Sequence, residues 1–441
     1  MRIKMPQSKF RAIIIGGGPI GLTIANGLDR AGIDFLVIER NPNIISESGA
    51  GIMAWPHTTR IFDQLGLTAA CQGRYIPLQS KSVSHLDGRP IRANPVFKYL
   101  SDNHGYPCMN FPRPLLTQTL YDGLGANQAK VRTGAGIENI EMTESGVRVR
   151  LTDNSFEDGS IVIGADGVHS KTRAIMQKLA EEAGEDFVKK EDPIVSSYQI
   201  LPPIKYGRAK YIPGVKVGEF FETHGAYRSS QISADKDRMH FGIYRKLPNP
   251  TTELKKDYSE EELAEFVEAF SDVNVMPNLS FTELYKNCEW TKLVNQQEGV
   301  LKRWYYNRVV LAGDSTVQMT AAMGMGLNNG IQSAVFLVNK LQELLSKSSD
   351  PDAAALGCAF EEYQNTRREE SQIITDHAAK LIRGNTWDTY LGWFMHEYVV
   401  PWMMTEEKLM AIIGEQLIRK MYKFDFIDAE LKSGKIPWAN A

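Results

Sequence analysis

The amino-acid sequence predicts an α/β fold: an open, mainly parallel sheet with helices on both faces, interleaved with a mixed β-sheet domain and followed by a C-terminal helical segment. Three observations predict it. Glycine-rich turns follow apolar strands at three separated places, alternating strands occupy much of residues 190–300, and helical patterns dominate from about residue 350 onward. Because the carboxyl ends of parallel strands meet at one edge of a sheet, the three turns are expected to form one site.

The first turn follows the strand at residues 10–15 and has the sequence Gly-Gly-Gly-Pro-Ile-Gly. Gly16 permits the tight turn, Gly18 lets backbone approach a pyrophosphate, and Gly21 lets the next helix pack closely on the strand. The N-terminus of that helix offers free N–H groups to phosphates. Glu39 ends the second strand, where a carboxylate can accept hydrogen bonds from both hydroxyls of an adenosine ribose. The motif therefore predicts a dinucleotide cofactor.

Composition limits the other function classes. The chain has 441 residues, enough to bury a large cofactor, and its formal net charge of -3 leaves no basic surface for nucleic acid. Its cysteines are widely spaced with no Cys-x-x-Cys pair, and its histidines show no metal spacing. This pattern predicts reduced thiols, a cytoplasmic location and no metal site. No signal peptide is expected, and no uncharged apolar run reaches the roughly 18 residues of a membrane-spanning helix.

An aromatic segment at residues 387–404 comes nearest to a membrane-spanning pattern, but polar residues and Pro401 interrupt it. Three interpretations remain open. The segment can pack as part of a terminal helical layer, form the wall of a substrate entrance, or contact a membrane surface. The last of these would make the protein peripheral to a membrane.

The second and third glycine motifs are longer than a simple turn requires. Gly164-Ala165-Asp166-Gly167 follows an apolar strand and continues to Ser170 and Arg173, whereas Gly313-Asp314 is followed by Gly324-x-Gly326 and Asn328. With all three motifs, residues 10–345 resemble the flavin-dependent monooxygenases of the p-hydroxybenzoate hydroxylase type (class A). The Gly49-Ala50-Gly51-Ile52 loop, the sequence Arg-Ile-Phe-Asp-Gln-Leu-Gly-Leu from Arg60, and Arg303-Trp304 are most similar to fungal secondary-metabolism enzymes that act on meroterpenoids or prenylated indoles.

The resemblance implies FAD as cofactor, NADPH as co-substrate and molecular oxygen as oxidant. In such enzymes NADPH reduces the flavin in a shared groove, and a flavin hydroperoxide then delivers one oxygen atom. This agrees with the lack of a second complete Gly-x-Gly-x-x-Gly motif, which predicts no separate NADPH domain. The implied cofactor-binding residues are Gly16, Gly18, Gly21, Glu39, Arg40, Gly51, Arg113, Asp166, Asp314, Gly324, Gly326 and Asn328.

Individual roles follow from the resemblance, each beside a structural alternative. Asp314 would bind the ribityl chain or cap a turn, and Arg113 would approach the ribityl or pyrophosphate portion or form a surface ion pair. Asp166 would lie between the flavin and the approach of the nicotinamide, or order its own loop. Gly324 and Gly326 would bring backbone N–H groups to the pyrimidine edge of the flavin.

The resemblance also implies a division of the chain into interleaved segments. The expected segments are 1–80, 113–189 and 301–348 for a Rossmann-like FAD-binding domain, 81–112 and 190–300 for a mixed-sheet substrate domain, and 349–441 for the C-terminal helical region.

The sequence departs from the family at the third motif, where Val317 and Ala321 replace the usual His and Pro. Replacing the proline is expected to free this loop and argues against aromatic hydroxylation by the standard geometry. Methionines at positions 319, 323 and 325 favour an apolar substrate, with simple packing as the alternative. The candidate catalytic residues are Glu47 and Arg208, with Arg228 and Tyr227 as alternatives in the expected substrate sheet.

The predicted function is that of an FAD-dependent, NADPH-using monooxygenase that epoxidises or hydroxylates an apolar natural-product intermediate. One alternative is an FAD-dependent reductase or cyclase that does not insert oxygen. Another is a flavoprotein retained as a binding or scaffold module, which would bind FAD without oxidising NADPH.

Overall fold

We describe the fold from a computed structural model of the chain. The structure describes residues 10–46, 51–186, 191, 194–201, 209–210, 215–234, 238–253, 257–288, 293–399, 403, 408 and 413–440.

The regular elements within these ranges are numbered in chain order. The strands are β1 (Arg11–Ile15), β2 (Asp34–Ile38), β3 (Gly51–Ala54), β4 (Ile76–Pro77), β5 (Ser80–His85), β6 (Pro90–Asn94), β7 (Met109–Pro112), β8 (Val131–Arg132), β9 (Ile137–Met142), β10 (Val147–Leu151), β11 (Phe156–Gly159), β12 (Ile161–Gly164), β13 (Val195–Leu201), β14 (Ala209–Lys210), β15 (Glu219–Gly225), β16 (Arg228–Ala234), β17 (Arg238–Thr251), β18 (Asn274–Met276), β19 (Leu279–Ser280), β20 (Val294–Val300), β21 (Tyr305–Tyr306), β22 (Val309–Leu311) and β23 (Val317–Gln318). The α-helices are α1 (Pro19–Arg30), α2 (Pro56–Gln64), α3 (Thr68–Cys71), α4 (Val96–His104), α5 (Arg113–Asp122), α6 (Lys171–Glu182), α7 (Glu260–Glu268), α8 (Phe281–Lys286), α9 (Gly326–Lys347), α10 (Ala353–Asn385) and α11 (Tyr390–Phe394).

A sheet with the strand order β21-β22-β12-β1-β2-β8 carries the three glycine motifs. Its strands are parallel except β21, and the register sets Ile15 opposite both Ile38 and Gly164, and Gly164 opposite Leu311. The carboxyl ends of β1, β2, β12 and β22 therefore lie side by side at one edge of the sheet. The side chains of β1 alternate between two hydrophobic cores, one on each face of the sheet, which explains why this strand is apolar throughout.

A second, mixed sheet has the order β23-β20-β13-β17-β16-β15-β5-β6, with β14 paired to β17. It is antiparallel except where β5 pairs in parallel with β15. One face packs against α7 and α8 through a phenylalanine-rich core that includes Phe241, Phe266 and Phe281. The other face borders a large cavity, described below.

The C-terminal region is helical through α10, and two π-helical turns follow at Met395–Val399 and Gly414–Arg419. The expectation of a mostly helical tail fails for residues 421–440, where the chain has no regular secondary structure. Here side-chain contacts hold the backbone instead. Gln64 of α2 hydrogen-bonds the backbone N–H and carbonyl of Phe424, and the Arg60 guanidinium lies 4.4 Å from the ring centroid of Trp438.

Candidate functional site

A cleft of about 450 Å³ lies at the carboxyl ends of the parallel strands. Residues from two of the glycine motifs and from α5 line it. They include Gly16, Gly17, Gly18, Glu39, Arg40, Arg113, Asp166 and Gly167. The structure thus brings together the predicted residues of the first two motifs with Arg113.

The first motif is shaped by backbone contacts that exclude side chains. Gly16 has a φ of 110°, and a Cβ atom there would lie 2.4 Å from the Ala165 carbonyl oxygen. A Cβ on Gly21 would lie 1.9 Å from the Gly16 carbonyl oxygen, which shows how closely α1 packs on the turn. Gly18 is different, because a Cβ there would meet no atom within 4 Å. Its α-carbon faces the open cleft, the space that a pyrophosphate needs.

The Glu39 carboxylate is held in place at the end of β2. One oxygen accepts a hydrogen bond from the Gly17 backbone N–H at 2.8 Å, and the other accepts from the Asn41 backbone N–H at 2.8 Å. The second of these oxygens also accepts from the Asn41 side-chain amide at 2.8 Å, whereas the oxygen bonded to Gly17 can accept one more bond. The carboxylate is therefore oriented in advance to accept a hydrogen bond from a ribose hydroxyl.

The Asp166 carboxylate accepts hydrogen bonds from residues at the start of α6. One oxygen accepts from the Thr172 backbone N–H and hydroxyl, each at 2.9 Å, and the other accepts from the Ser170 hydroxyl. The alternative that Asp166 orders its loop is therefore observed, and cofactor binding by this residue stays a prediction. Arg173 of the same helix donates to the backbone carbonyl of Ser315 at 3.1 Å, which ties the second motif to the third.

Asp314 follows β22, and it is exposed to solvent. Desolvation by the surrounding protein raises the pKa of Asp314, while the nearby positive charge of Arg113 acts in the opposite direction. These two residues therefore interact across the space between the third motif and the cleft. Hydroxyl donors placed there would stabilise the carboxylate, as the implied ribityl contact requires.

The third motif turns at Gly324, whose φ is 64°, and α9 begins at Gly326. Asn328 is fully buried, and its side chain accepts from the Trp55 N–H at 2.8 Å and donates to the carbonyls of Met53 and Gly324 at 2.9 and 2.7 Å. This side chain ties β3 to the loop. A direct contact between Asn328 and a cofactor stays a prediction.

A larger cavity of about 540 Å³ lies beside this loop, between α10 and the mixed sheet. Gly51 and Gly324 line it, and Gly51 pairs with Pro112, the residue before Arg113. The dinucleotide cleft and the cavity are thus linked through β3 and β7. The walls of the 540 Å³ cavity are mainly apolar. The apolar lining includes Met53, Trp55, Val96, Phe97, Leu100, Phe220, Met323, Leu381 and Ile413.

The sheet register places a row of polar side chains across the floor of this cavity. Val83 pairs with both Arg92 and Glu222, Glu222 pairs with Gln231, and the next row contains Asn94, Lys81, Phe220, Ser233 and His240. Neighbours in a row lie on the same face of the sheet. Residues far apart in sequence therefore meet in one cavity.

Glu222 is the centre of a buried hydrogen-bond network. Lys81 Nζ lies 2.6 Å and His224 Nε2 lies 3.1 Å from one carboxylate oxygen, and Gln231 Nε2 lies 2.7 Å from the other. Burial alone raises the pKa of Glu222, but the Lys81 charge and the His224 hydrogen bond outweigh burial and lower it. The carboxylate is therefore ionised and fixed.

This network also holds the loop that lacks the family proline. Gln231 Nε2 donates to the Ala322 carbonyl at 2.6 Å, and the Thr320 hydroxyl donates to Gln296 Oε1 at 2.7 Å. The turn Ala321–Met323 is thus fixed from two sides. The sequence expectation that the loop is freed does not account for these contacts, which come from strands distant in sequence.

The catalytic candidates have different outcomes. Glu47 and Arg208 lie outside the described residues. The alternative Arg228 pairs with Asp272 at 2.7 Å, and Tyr227 is 54% exposed; neither lines the cavity. Sequence reasoning missed Glu222 and Gln231. A polar residue at alternate positions of a buried strand is the signal that could have found them.

A family model described as FAD binding domain matches residues 9–377. The FAD-dependent monooxygenase srdH of Neurospora crassa is 33% identical and aligns over 98% of this chain and 98% of its own. The FAD-dependent monooxygenase ausM of Penicillium brasilianum is 30% identical, over 90% of this chain and 83% of its own. Klebsiella pneumoniae HpxO, solved with FAD and uric acid, shares the fold with a TM-score of 0.68 and 21% identity, over 93% of this chain and 95% of its own.

The fold and the two linked cavities define a flavoprotein with an FAD binding domain, and the chain belongs to that family. It is an FAD-dependent monooxygenase of the p-hydroxybenzoate hydroxylase type. The fold class, the family resemblance and the FAD cofactor predicted from the sequence are confirmed.

The residues present fit FAD. The open space beside Gly18 would take the pyrophosphate, the Glu39 carboxylate the ribose, and the start of α9 the flavin edge. The indole Nε1 of Trp55 adds a buried donor at the cavity that has no hydrogen-bond partner among the described residues.

Proposed function

We propose that this monooxygenase uses NADPH and epoxidises or hydroxylates an apolar natural-product intermediate of fungal secondary metabolism, such as a prenylated aromatic, meroterpenoid or indole alkaloid. The observation that carries this proposal is the mainly apolar 540 Å³ cavity beside Gly324. A cavity of this size suits a drug-sized, apolar molecule. The relatives from Neurospora and Penicillium support the fungal context.

In this proposal the protein supplies position, exclusion of water and hydrogen bonds. Bound FAD would supply the redox chemistry that activates oxygen. Phe97, Phe220 and Met323 surround the substrate with apolar surface, which keeps water from the reacting face. Gln231 fixes the Ala322 carbonyl at the edge of this space. A separate NADPH domain is not needed if NADPH reaches the flavin through a shared groove.

An oxygen-18 experiment tests the proposal. The purified holoprotein is incubated with NADPH and a panel of prenylated aromatics and indoles under ¹⁸O₂, and products are read by mass. We expect faster NADPH oxidation with a suitable compound and one ¹⁸O atom in the product. NADPH oxidation and product formation that continue without oxygen would instead support the reductase or cyclase. FAD binding without NADPH oxidation by any compound would support the scaffold alternative.

We also propose that the aromatic segment contacts a membrane surface. Tyr390, Leu391 and Tyr398 are 79%, 68% and 58% exposed, so the packing interpretation does not describe these side chains. No helix within the described residues has the length and apolar character needed to cross a bilayer. Such an exposed apolar cluster suits the interface of a lipid layer.

Co-sedimentation with phosphatidylcholine vesicles tests this contact. We expect the holoprotein to sediment with the vesicles and the double variant Tyr390→Ser, Leu391→Ser to stay in the supernatant. An exposed-site control is Phe156→Ser, because Phe156 is 52% exposed on β11, outside the aromatic segment. Equal sedimentation of all three proteins would contradict the proposal.

A further inference from the structure

The cavity has a cationic end on β6. Arg92 and Asn94 lie on the same face of this strand, and both line the cavity. The Arg92 guanidinium has no ion-pair or hydrogen-bond partner among the described residues, and the buried side-chain oxygen of Asn94 likewise has none. The amide of Asn94 can present either its oxygen or its nitrogen to a ligand. The Arg92 guanidinium and the Asn94 side-chain oxygen are therefore two adjacent polar groups, without partners among the described residues, in a mainly apolar cavity.

The charges of the cavity do not balance. Among the described residues that line it, Lys81, Arg92 and Lys380 are cationic, whereas Glu222 is the single carboxylate. Glu222 is already engaged by Lys81, His224 and Gln231. The histidine that faces this end, His396, is neutral, because burial first, and then the charge of His224, lower its pKa to about 3. Arg92 thus forms no ion pair with a carboxylate of the described part of the chain.

The cationic end lies far from the loop at residues 320–324. Arg92 is separated from Gln231, which contacts Ala322, by the strands β5 and β15. Three strand spacings of about 4.8 Å place their backbones roughly 14 Å apart. A group bound at Arg92 would therefore hold the other end of an elongated substrate near the loop.

We propose that Arg92, assisted by Asn94, binds an anionic oxygen group of the substrate, a carboxylate or an ionised acidic hydroxyl. The inference deepens the proposed function and rests on it, since it names a second feature of the same apolar substrate. A guanidinium in a mainly apolar cavity forms strong, charge-assisted hydrogen bonds with such a group. The substrate is then amphipathic, with an apolar body that lies lengthwise along the cavity.

Two fluorescent probes with the same ring system test this inference. 8-Anilinonaphthalene-1-sulfonate carries an anionic group that N-phenyl-1-naphthylamine lacks. The holoprotein and the variants Arg92→Gln, Arg92→Lys and Arg89→Gln are titrated with each probe. Arg89 is the matched control, because it lies on the same hairpin, is 71% exposed and pairs with Asp87 outside the cavity.

We expect Arg92→Gln to bind the sulfonate about tenfold more weakly and the neutral probe within about twofold of the native protein. Arg92→Lys should retain most of the affinity, and Arg89→Gln all of it. Added salt should weaken binding of the sulfonate alone, a measurement that needs no variant. The inference is wrong if Arg92→Gln and Arg89→Gln bind the sulfonate equally, or if Arg92→Gln weakens both probes alike. Such a result leaves the oxygen-18 test of the proposed function unaffected.

Discussion

Gln231 shows how one side chain can replace a rigid backbone residue. Its amide donates to Glu222 and to the Ala322 carbonyl, and its oxygen accepts from the Tyr244 hydroxyl at 2.8 Å. Gln231 and Tyr244 are buried, so these bonds are not shared with solvent. A loop without proline is thereby held by the substrate sheet. The Ala322 carbonyl and the Glu222 carboxylate are therefore held by the same side chain.

We predict that Gln231→Leu lowers the free energy of unfolding by about 2–3 kcal/mol, because it leaves buried polar groups without partners. The same change should increase hydrogen peroxide released per NADPH oxidised, since the loop beside the cavity loses a contact. Urea unfolding and a peroxide assay measure the two effects. Gln372→Leu on the exposed face of α10 is the control. A Gln231→Leu protein with native stability and native peroxide release would contradict this role.

Gly18 allows a test of cofactor binding that leaves the fold intact. Its φ of -74° and ψ of 178° are accessible to any residue, and a Cβ there meets no atom within 4 Å. We predict that Gly18→Val folds normally but is purified with less than about a tenth of the native FAD, because the side chain enters the cleft. Absorbance at 450 nm against total protein gives the FAD content.

The glycine control is Gly357→Ala on α10, where a Cβ also meets no atom within 4 Å. Alanine in a helix interior should raise the stability by about 0.5–1 kcal/mol and keep the FAD. Native FAD content in Gly18→Val would rule out the pyrophosphate site at this turn.

At the scale of elements, the strands of the parallel sheet could be predicted well. β1, β12 and β22 are short apolar runs because both of their faces are buried, and each is followed by a glycine turn. The cavity floor could not be predicted in the same way. It depends on the parallel pairing of β5 with β15, which joins segments more than a hundred residues apart, and local sequence carries no signal for such a register.

Asp166 lies just before helix α6 and binds residues at its start. Asp166 accepts from the Thr172 N–H near the start of this helix, as capping residues do. We predict that Asp166→Ala lowers the free energy of unfolding by about 1–2 kcal/mol and retains FAD, measured by urea unfolding and by absorbance. The opposite result, lost FAD at native stability, would show that Asp166 binds the cofactor directly.

At the scale of the whole molecule, acid stability depends on histidines buried without charge. Burial first, and then the positive charges of His104 and Arg367, lower the pKa of His57 from 6.5 to about 3. The unfolded chain binds a proton at His57 below pH 6.5, and the folded protein does not. Stability is therefore lost as the pH falls through this window, by up to about 1.4 kcal/mol per pH unit for each such histidine.

We predict that the free energy of unfolding falls between pH 6.5 and pH 5, and that His57→Gln reduces this slope. His377→Gln is the control, because that side chain is only half-buried on α10 and bonds the Ile373 carbonyl. Urea unfolding at several pH values gives the slopes. Equal slopes in the native protein and His57→Gln would show that His57 is protonated in the folded state.

The interleaving of the two sheets could be predicted only through the family resemblance. The alternating strands of residues 190–300 indicate a second sheet, but nothing local shows that β5 and β6 join it. The path of residues 421–440 could not be predicted from local sequence for a similar reason. Their backbone is held by hydrogen bonds from the Gln64 and Arg60 side chains, and no periodic sequence pattern predicts these contacts.

The return of residues 421–440 to α2 sets an order of events during synthesis. Until the ribosome has released Trp438, the Arg60 guanidinium lacks the indole that covers it, and Gln64 lacks the Phe424 backbone that it binds. Helix α2 therefore lacks these contacts until residues 421–440 have been synthesised. A translation arrest upstream of them should leave α2 open to proteases.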